Sequence, residues 1–408
     1  MKNRSAPLTL AAAVLRITPT KPATQPQDPG RVLAWLGLCL LLAWPLHSRS
    51  ADAPLADQPL PERGADGAPM GVRIAPGLTL GGYGTVQLAL PRHALASSGD
   101  HAGEGDGDHG GSSPREDPQY ARRNRLTLSH LSAIAWWEPA PAIKLLAELD
   151  SQDVLQLPTH HDNDDGVGSA PTVALERLYL DFLASDELKL RIGKFLTPIG
   201  RWNQEHSDPL TWTTLRPLIS QSAFPTSATG LMLFGSLPLG PQGLDYQLYA
   251  SGGSDWHASP RVDPFSSAIG LRLAAALSAD LQFGLSAAQY VQQHQDRDRF
   301  DLLGLDAVWA VQGTEISAEA IVRRSRDDRA TERGGFVQGR WPLAMRWSAV
   351  ARVEAYKRAE DTGSHRSALL GLVYRSGHHW VGKVEWVEPN RAASGLPQGL
   401  LASLTLMY

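Results

Sequence analysis

Apolar and polar residues alternate with a period of two along most of the chain beyond residue 78. Residues 143–150, 315–323, 346–354 and 380–386 each place apolar side chains on one face and mainly charged or hydroxyl side chains on the other. This period indicates β-strands whose two faces meet different surroundings. Many segments run about 10–14 residues, close to the length that a tilted membrane strand requires. The pattern predicts an all-β fold, a transmembrane antiparallel β-barrel of about 16 strands.

The connections between these segments fall into two classes of length. Tight turns are predicted at 184–186, 239–243 and 341–344, and longer polar connections at 160–170, 324–333 and 359–365. Short turns on one rim and long loops on the other are typical of outer-membrane barrels.

The last predicted strand has the pattern of a closing barrel strand. Its apolar face is formed by Leu400, Ala402, Leu404, Leu406 and Tyr408. A lipid-facing apolar row that ends on an interfacial aromatic residue suits this position. It also resembles the C-terminal signal that the bacterial barrel-assembly machinery reads, which makes that machinery an expected partner.

The alternation is interrupted between the strand that begins near Leu188 and the strand that begins near Ser227. The intervening stretch is rich in aromatic residues and proline, and residues 195–224 are predicted to fold inward and narrow the lumen. The residues expected at this pore constriction are Arg201, Asn203, Glu205, His206, Asp208 and Arg216. Charged groups at a constriction set the size and field of a channel. The alternative is a loop packed on the barrel wall by Trp202 and Trp212, with its charges paired internally.

Because successive side chains of a strand point to opposite faces, the odd or even position of a residue in its strand, hereafter its parity, also predicts which charged side chains face the lumen. The basic ones include Lys189, Arg191, Arg177, Arg352 and Lys383. Acidic residues predicted on the same inner face include Glu148, Asp150, Asp181, Glu315, Glu319, Glu354 and Glu385. Because the two signs nearly match, parity gives no ion preference, and many charges are expected to pair across neighbouring strands.

The N-terminal region reads as an export signal followed by a spacer. Val32–Leu46 is an uncharged apolar run whose length suits a signal peptide better than a membrane span, the alternative being an N-terminal anchor. The predicted organisation is a leader with signal peptide over 1–53, a flexible linker over 54–76 and a transmembrane barrel over 77–408. Cys39 is the only cysteine and lies in the leader, which excludes disulfides and cysteine-based zinc sites from the barrel.

Charge argues against a nucleic-acid partner. The formal net charge is −4, and because the first 50 residues are basic, the remainder is more acidic still. Glu205-His206-Ser207-Asp208 contains acid, base and hydroxyl groups, but adjacency in sequence does not supply the geometry of a triad, so no enzymatic activity is expected. The His- and Asp-rich tracts at 101–109 and 160–165 are interpreted as solvated loops, with weak metal capture as the alternative. No cofactor and no defined metal site is predicted.

The segment Gly193-Lys194-Phe195-Leu196-Thr197-Pro198-Ile199-Gly200-Arg201 resembles a segment of porin-like barrels, the nearest group being the phosphate-selective porin O and P type. The resemblance implies a trimeric 16-stranded channel for small anions, hence a possible homotrimer. Only seven lysines occur, and Lys2 and Lys21 lie in the leader, so the chain does not supply a dense lysine cluster.

The sequence thus predicts a porin-like channel in the outer membrane of a Gram-negative bacterium, in contact with outer-membrane lipid. It would pass small hydrophilic solutes or anions by passive diffusion. The alternatives are a non-conducting outer-membrane barrel with an adhesion, structural or enzymatic role, and a secreted soluble β protein.

Overall fold

The computed structural model describes residues 71–91, 124–158, 172–240, 242–252, 262–293, 298–327, 329–377, 380–390 and 396–408. The strands are β1 (Val72–Ala75), β2 (Leu78–Pro91), β3 (Arg125–Ala140), β4 (Ile143–Pro158), β5 (Thr172–Leu183), β6 (Lys189–Leu196), β7 (Ser227–Leu237), β8 (Leu244–Gly252) and β9 (Phe265–Ser278). They continue with β10 (Leu281–Gln292), β11 (Arg299–Val311), β12 (Thr314–Ser325), β13 (Thr331–Ala344), β14 (Trp347–Lys357), β15 (His365–Ser376), β16 (Trp380–Pro389) and β17 (Gly399–Met407). A 3-10 helix spans Trp202–Glu205, and the short α-helix α1 spans Leu218–Ser222. Within the described ranges, no helix has the length and apolar character needed to cross a membrane.

The sheet closes on itself. From β2 onward every strand pairs antiparallel with the next, and β17 pairs with β2 from Gly399↔Pro91 to Met407↔Tyr83. Beyond Met407, the backbone N–H and C=O groups of Tyr408 each bond to Gly82 at 3.0 Å. The prediction of an antiparallel barrel of about 16 strands is confirmed, since β2–β17 form a closed 16-stranded barrel.

The strand β1 lies outside this count. It pairs with the start of β2, from Val72↔Leu80 to Ala75↔Leu78, where β17 has already ended. The predicted linker 54–76 therefore contains a strand near its end, and residues 54–70 of that range lie outside the described residues.

The two faces of the barrel differ as the alternation predicts. On β17, Leu404 and Leu406 point outward and are exposed, whereas Leu401, Ser403 and Thr405 are buried on the inner face. Exposed apolar side chains recur on the outer face of every strand from β2 to β17, as in Leu149, Val322, Val353, Leu370 and Val384. An apolar outer surface of this extent is what a barrel in a bilayer requires.

The connections define two rims. The described strand ends that flank positions 141–142, 184–188, 238–243, 279–280, 312–313, 345–346 and 377–379 form the short-turn rim, and the opposite strand ends form the long-loop rim. The predicted turn at 341–344 is wrong: β13 continues to Ala344 and the turn is Met345–Arg346. A register shift between Pro342 and Ala344 accommodates the proline at the end of the strand. The His- and Asp-rich tracts at 101–109 and 160–165 lie outside the described residues.

Aromatic side chains collect on the outer face near the short-turn rim. Trp347, Tyr374 and Trp380 stack in a row with neighbouring ring centroids 4.9 Å apart. Trp137 is also exposed, as expected of an interfacial aromatic residue. Its neighbour Trp136 has the opposite orientation and packs against the cluster of apolar side chains inside the barrel.

Candidate functional site

Residues 197–226, hereafter the insertion, leave the wall between β6 and β7 and lie inside the barrel. Their two ends are joined by a hydrogen bond from Thr197 N to Thr226 O of 2.8 Å. The amide of Asn203 reinforces this closure, since its Nδ2 donates to Thr197 O at 2.8 Å and to Thr226 O at 3.0 Å. Asn203 is buried, so its side chain joins the two ends of the insertion rather than facing the lumen.

Apolar packing holds part of the insertion against the wall. Ile199, Ile219 and Phe224 are almost fully buried in the largest apolar cluster of the described residues. The wall contributes aromatic and aliphatic side chains to this cluster, among them Tyr249, Phe265, Tyr290, Phe300, Ile321, Phe336 and Tyr356. The inner face is therefore not uniformly polar: near the long-loop rim, part of it is a dry core shared with the insertion.

Three carboxylates on the inner wall accept hydrogen bonds from backbone N–H groups of the insertion. Glu319 on β12 accepts from Trp202 N at 2.5 Å, and Glu354 on β14 accepts from Leu218 N at 2.7 Å. On β16, Glu385 accepts from the consecutive N–H groups of Thr214 and Leu215. These wall charges are used to hold the backbone of the insertion.

Cations of the wall bind its carbonyl groups in the same way. Lys383 Nζ donates to Asp208 O at 2.8 Å, Thr211 Oγ1 at 2.9 Å and Thr213 O at 3.2 Å. Its ammonium group thereby uses all three of its donors on the insertion.

Arg375 on β15 holds the neighbouring turn of the insertion. Its guanidinium donates to the three consecutive carbonyl groups of residues 209–211 at 2.6 to 3.1 Å. It also lies 4.1 Å from the ring centroid of Trp212, and Arg340 on β13 lies 4.3 Å from the same ring. Both guanidinium groups are therefore within cation–π distance of Trp212.

The residues predicted at the constriction have different surroundings. Arg201 bonds to Glu205 (Nε–Oε2 3.1 Å), and the two side chains keep 28% and 36% of their surface exposed. His206 lies inside the barrel against Glu176 on β5 (Nε2–Oε1 3.2 Å), and its Nδ1 donates to Asn203 O at 2.8 Å. The remaining two are Asp208, whose carbonyl binds Lys383, and Arg216, whose guanidinium lies 4.9 Å from the ring of Trp202.

Two of the predicted lumen charges form pairs along the wall of β4–β6. Arg191 makes two hydrogen bonds to Asp181, at 2.7 and 2.9 Å, and Arg177 bonds to Glu148 at 2.5 Å. Lys189 lies near the short-turn rim, 3.9 Å from Asp186.

Arg352 and Lys383, on the opposite side of the barrel, are covered by the insertion instead. Arg352 donates to Thr213 Oγ1 at 2.9 Å and is fully buried. The side chain of Arg191 retains 20% exposure, against 0% for Arg352. This difference indicates that the β14–β16 side of the lumen is dry and that the β5–β6 side is the wetter one.

Arg375 is a contact residue that the sequence did not single out. It shares its parity with the buried Leu369 and Val373, so an inward orientation could have been inferred for it. The partners of Arg375 could not have been inferred, because the carbonyl groups that it binds lie more than 160 positions away in the chain.

Comparisons with known proteins bear on the fold. Neither a family model nor a curated protein matches the sequence. Among solved structures, the anion-selective porin from Comamonas acidovorans is similar over 81% of this chain and 98% of its own, with 13% identity and a TM-score of 0.51. Salmonella typhi OmpF, solved in complex with daunomycin, matches over 81% and 97% with 10% identity and a TM-score of 0.53. A loop L8 deletion mutant of OmpT, an outer membrane protein of Vibrio cholerae, matches over 81% and 99% with 9% identity and a TM-score of 0.51. At these identities, the likeness is one of barrel fold.

Proposed function

We propose that the protein is an outer-membrane channel that passes small hydrophilic solutes by passive diffusion, with the insertion as its constriction. The observation that carries this proposal is a closed barrel with an apolar outer face and a polar segment folded inside it. Three partly exposed charged side chains line the proposed passage: Arg191 on β6, and Arg201 and Glu205 of the insertion, with Arg201 Nη1 3.1 Å from Gln282 Oε1 on β10. It needs neither a catalytic step nor a cofactor.

Weak ion selectivity follows from the charges along this passage. Arg201 faces Glu205, and Arg191 faces Asp181, so each cation has a carboxylate beside it. Paired charges produce little net field for a permeating ion, although a guanidinium can still bind a small anion transiently.

The narrower resemblance, to phosphate-selective porins, would require a lysine-lined constriction. Three described lysines do not line a constriction: Lys194 is buried, Lys383 binds the insertion, and Lys357 lies on the outer face. We therefore expect any preference for anions to depend on arginine and to include anions other than phosphate. A homotrimer and assembly through the C-terminal strand belong to the same proposal, in keeping with the barrel closure at Tyr408.

Conductance across a planar bilayer tests the proposal. Purified, folded wild-type protein should give discrete current steps. Arg201→Gln should shift the reversal potential in a salt gradient in the direction of greater cation selectivity, because the carboxylate of Glu205 then loses its cationic partner. Lys189→Gln is the matched control, since it removes one lumen charge near the rim without a contact to the insertion. Absence of current from folded protein at both polarities would contradict an open channel.

A second candidate, a non-conducting barrel, is favoured by one observation. The insertion bonds to inner-face side chains of β5, β8, β10, β12 and β14–β17, which lie on most sides of the lumen. A silent wild type that conducts once the insertion is loosened would favour this candidate.

A further inference from the structure

A group of cations lies on the outer face of the barrel, outside the proposed passage. Arg324, Arg333, Lys357 and Arg366, hereafter the basic cluster, occur one per strand near the long-loop ends of β12, β13, β14 and β15. Each has the parity of an exposed apolar residue on its own strand, namely Val322, Val337, Val353 and Leu370. Each cation lies two or four residues along its strand from that apolar residue, a distance of about 7 to 13 Å. The cluster therefore lies where the apolar outer surface ends.

The strand register places like charges side by side. Arg333 is the direct cross-strand partner of Lys357. Arg324 pairs with Thr331, two residues from Arg333, and Arg366 pairs with Ala355, two residues from Lys357. Like charges directly opposite each other destabilise a sheet. This arrangement becomes favourable when an anion binds across the cluster.

Few carboxylates balance these cations. At one flank, Asp301 pairs with Arg326 at 2.7 Å and lies opposite Arg324 in the register. At the other flank, Glu388 on β16 accepts a hydrogen bond from Gln398. In the described part of the chain, no side chain of the basic cluster forms an ion pair within 4.0 Å.

The cluster is confined to one side of the barrel. Outward positions near the long-loop rim on β2, β3, β8 and β9 are Leu90, Leu126, Ala250 and Ile269. If this rim were positively charged all the way round, those positions would carry cations and not apolar residues. The outward-facing positive charge of the basic cluster therefore belongs to one side of the rim.

An apolar trough leads into this patch from the middle of the outer face. Ala320, Gly335 and Ala355 are consecutive cross-strand partners on β12, β13 and β14. With larger residues such as Leu305 and Val337 around them, they form the floor of a concavity of about 820 Å³. The trough ends at the basic cluster, since Ala355 pairs with Arg366 and Gly335 is two residues from Arg333.

We propose that the trough and the basic cluster together bind a phosphate-bearing membrane lipid, with its acyl chains on the apolar floor and its phosphate among the four cations. Guanidinium groups bind phosphate by paired hydrogen bonds, and each cation near a membrane surface contributes about a fivefold gain in affinity for an anionic lipid. The outward orientation favours a lipid over a soluble anion, because the site faces the hydrocarbon of the bilayer. The inference requires a barrel in a membrane and does not depend on conduction.

Binding of three probes to the detergent-folded protein tests the inference, with native mass spectrometry as the readout. Dioleoyl phosphatidic acid carries both chains and phosphate, dioleoylglycerol carries the chains alone, and glycerol phosphate carries the headgroup alone. The phosphatidic acid should bind well above the other two. The double variant R333Q/K357Q should weaken its binding on the order of 30-fold, from two charges at about fivefold each.

The control is R73Q/R346Q, which removes two exposed cations at the short-turn rim. It should leave binding of phosphatidic acid within about threefold of wild type, since those charges lie at the other end of the barrel. Heat-modifiable migration on gels verifies that both variants are folded, and removing the Arg333–Lys357 repulsion should not destabilise the barrel.

Three outcomes would overturn the inference. Equal losses in both double variants would mean a non-specific charge effect, and equal binding of dioleoylglycerol would mean that phosphate is not recognised. Displacement of phosphatidic acid by equimolar glycerol phosphate would mean a small-anion site without a role for the trough.

Discussion

Lys383→Met should loosen the insertion without unfolding the barrel. The ammonium group of Lys383 donates three hydrogen bonds, to Asp208 O, Thr211 Oγ1 and Thr213 O, at 2.8 to 3.2 Å. Methionine has a similar length and can occupy the same space, but it supplies none of these donors. The strand β16 itself keeps its ladders to β15 and β17.

The size of the effect follows from the number and type of the bonds lost. A hydrogen bond to a charged group contributes about 1.5–3 kcal/mol, and the three bonds of Lys383 share one ammonium group. Taking the lower value for each gives a loss of about 4.5 kcal/mol in the attachment of residues 208–213. Because each 1.4 kcal/mol is about a factor of ten, detached states should become roughly 1,000-fold more populated.

Single-channel recording in planar bilayers measures the consequence. Lys383→Met should give larger and noisier current steps than wild type, because the detached segment no longer narrows the passage. Lys189→Met is the control, since Lys189 carries the same charge on the same inner face but contacts Asp186 near the rim. It should change ion selectivity slightly and leave the step size unchanged.

Equal step sizes in wild type, Lys383→Met and Lys189→Met would refute the reasoning. That result would mean that Arg375 and Arg352 hold this segment without Lys383. A Lys383→Met barrel that no longer migrates as a folded species would also contradict it, since the predicted loss is confined to the insertion.

Three further predictions concern the insertion. Asn203→Leu removes both hydrogen bonds between its ends and should cost about 2 kcal/mol in their closure, measured as more frequent current fluctuations, whereas unchanged noise would contradict the role assigned here. Gly200→Ala should also loosen it, because φ is +65° and an added Cβ would meet Glu319 Oε2 at 2.3 Å; protease cleavage within the insertion should rise relative to wild type. Although burial opposes ionisation, His130 and other nearby cations hold the pKa of Asp208 below its ordinary value of 3.8, so its stabilising effect is present above that value and is lost in stronger acid. Asp208→Asn should therefore differ from wild type in conductance at pH 5–7, where the carboxylate is ionised, and the difference should fade in acid well below about pH 4; a difference that appears only in strong acid would contradict the assignment.

The faces of the strands could be read from the sequence because side-chain direction in a strand is a local property. Period-two alternation correctly separated Leu404 and Leu406 from Ser403 and Thr405. The interruption after β6 was equally visible, since aromatic residues and proline replace the alternation there. The exact end of β13 was not, because its register shift depends on pairing with β14.

The role of each inward charge could not be read in this way. Asn203 was predicted at the constriction, yet it is buried and joins the ends of the insertion. Glu319 and Glu385 were recognised as inward carboxylates, but their partners are backbone N–H groups more than 100 positions away. Nothing local in either strand encodes that distance.

The sequence by itself determined the class of architecture: strands with one apolar face, closed by a last strand whose pairing continues to Tyr408. Only the tertiary structure decided which inward charges meet water and which meet the insertion. Lys189 and Lys383 have the same side chain and the same orientation, and they differ only in what the folded chain brings to them. Parity repeats every two residues along one strand, whereas the path of the insertion across the lumen is set by the sum of contacts from many strands at once.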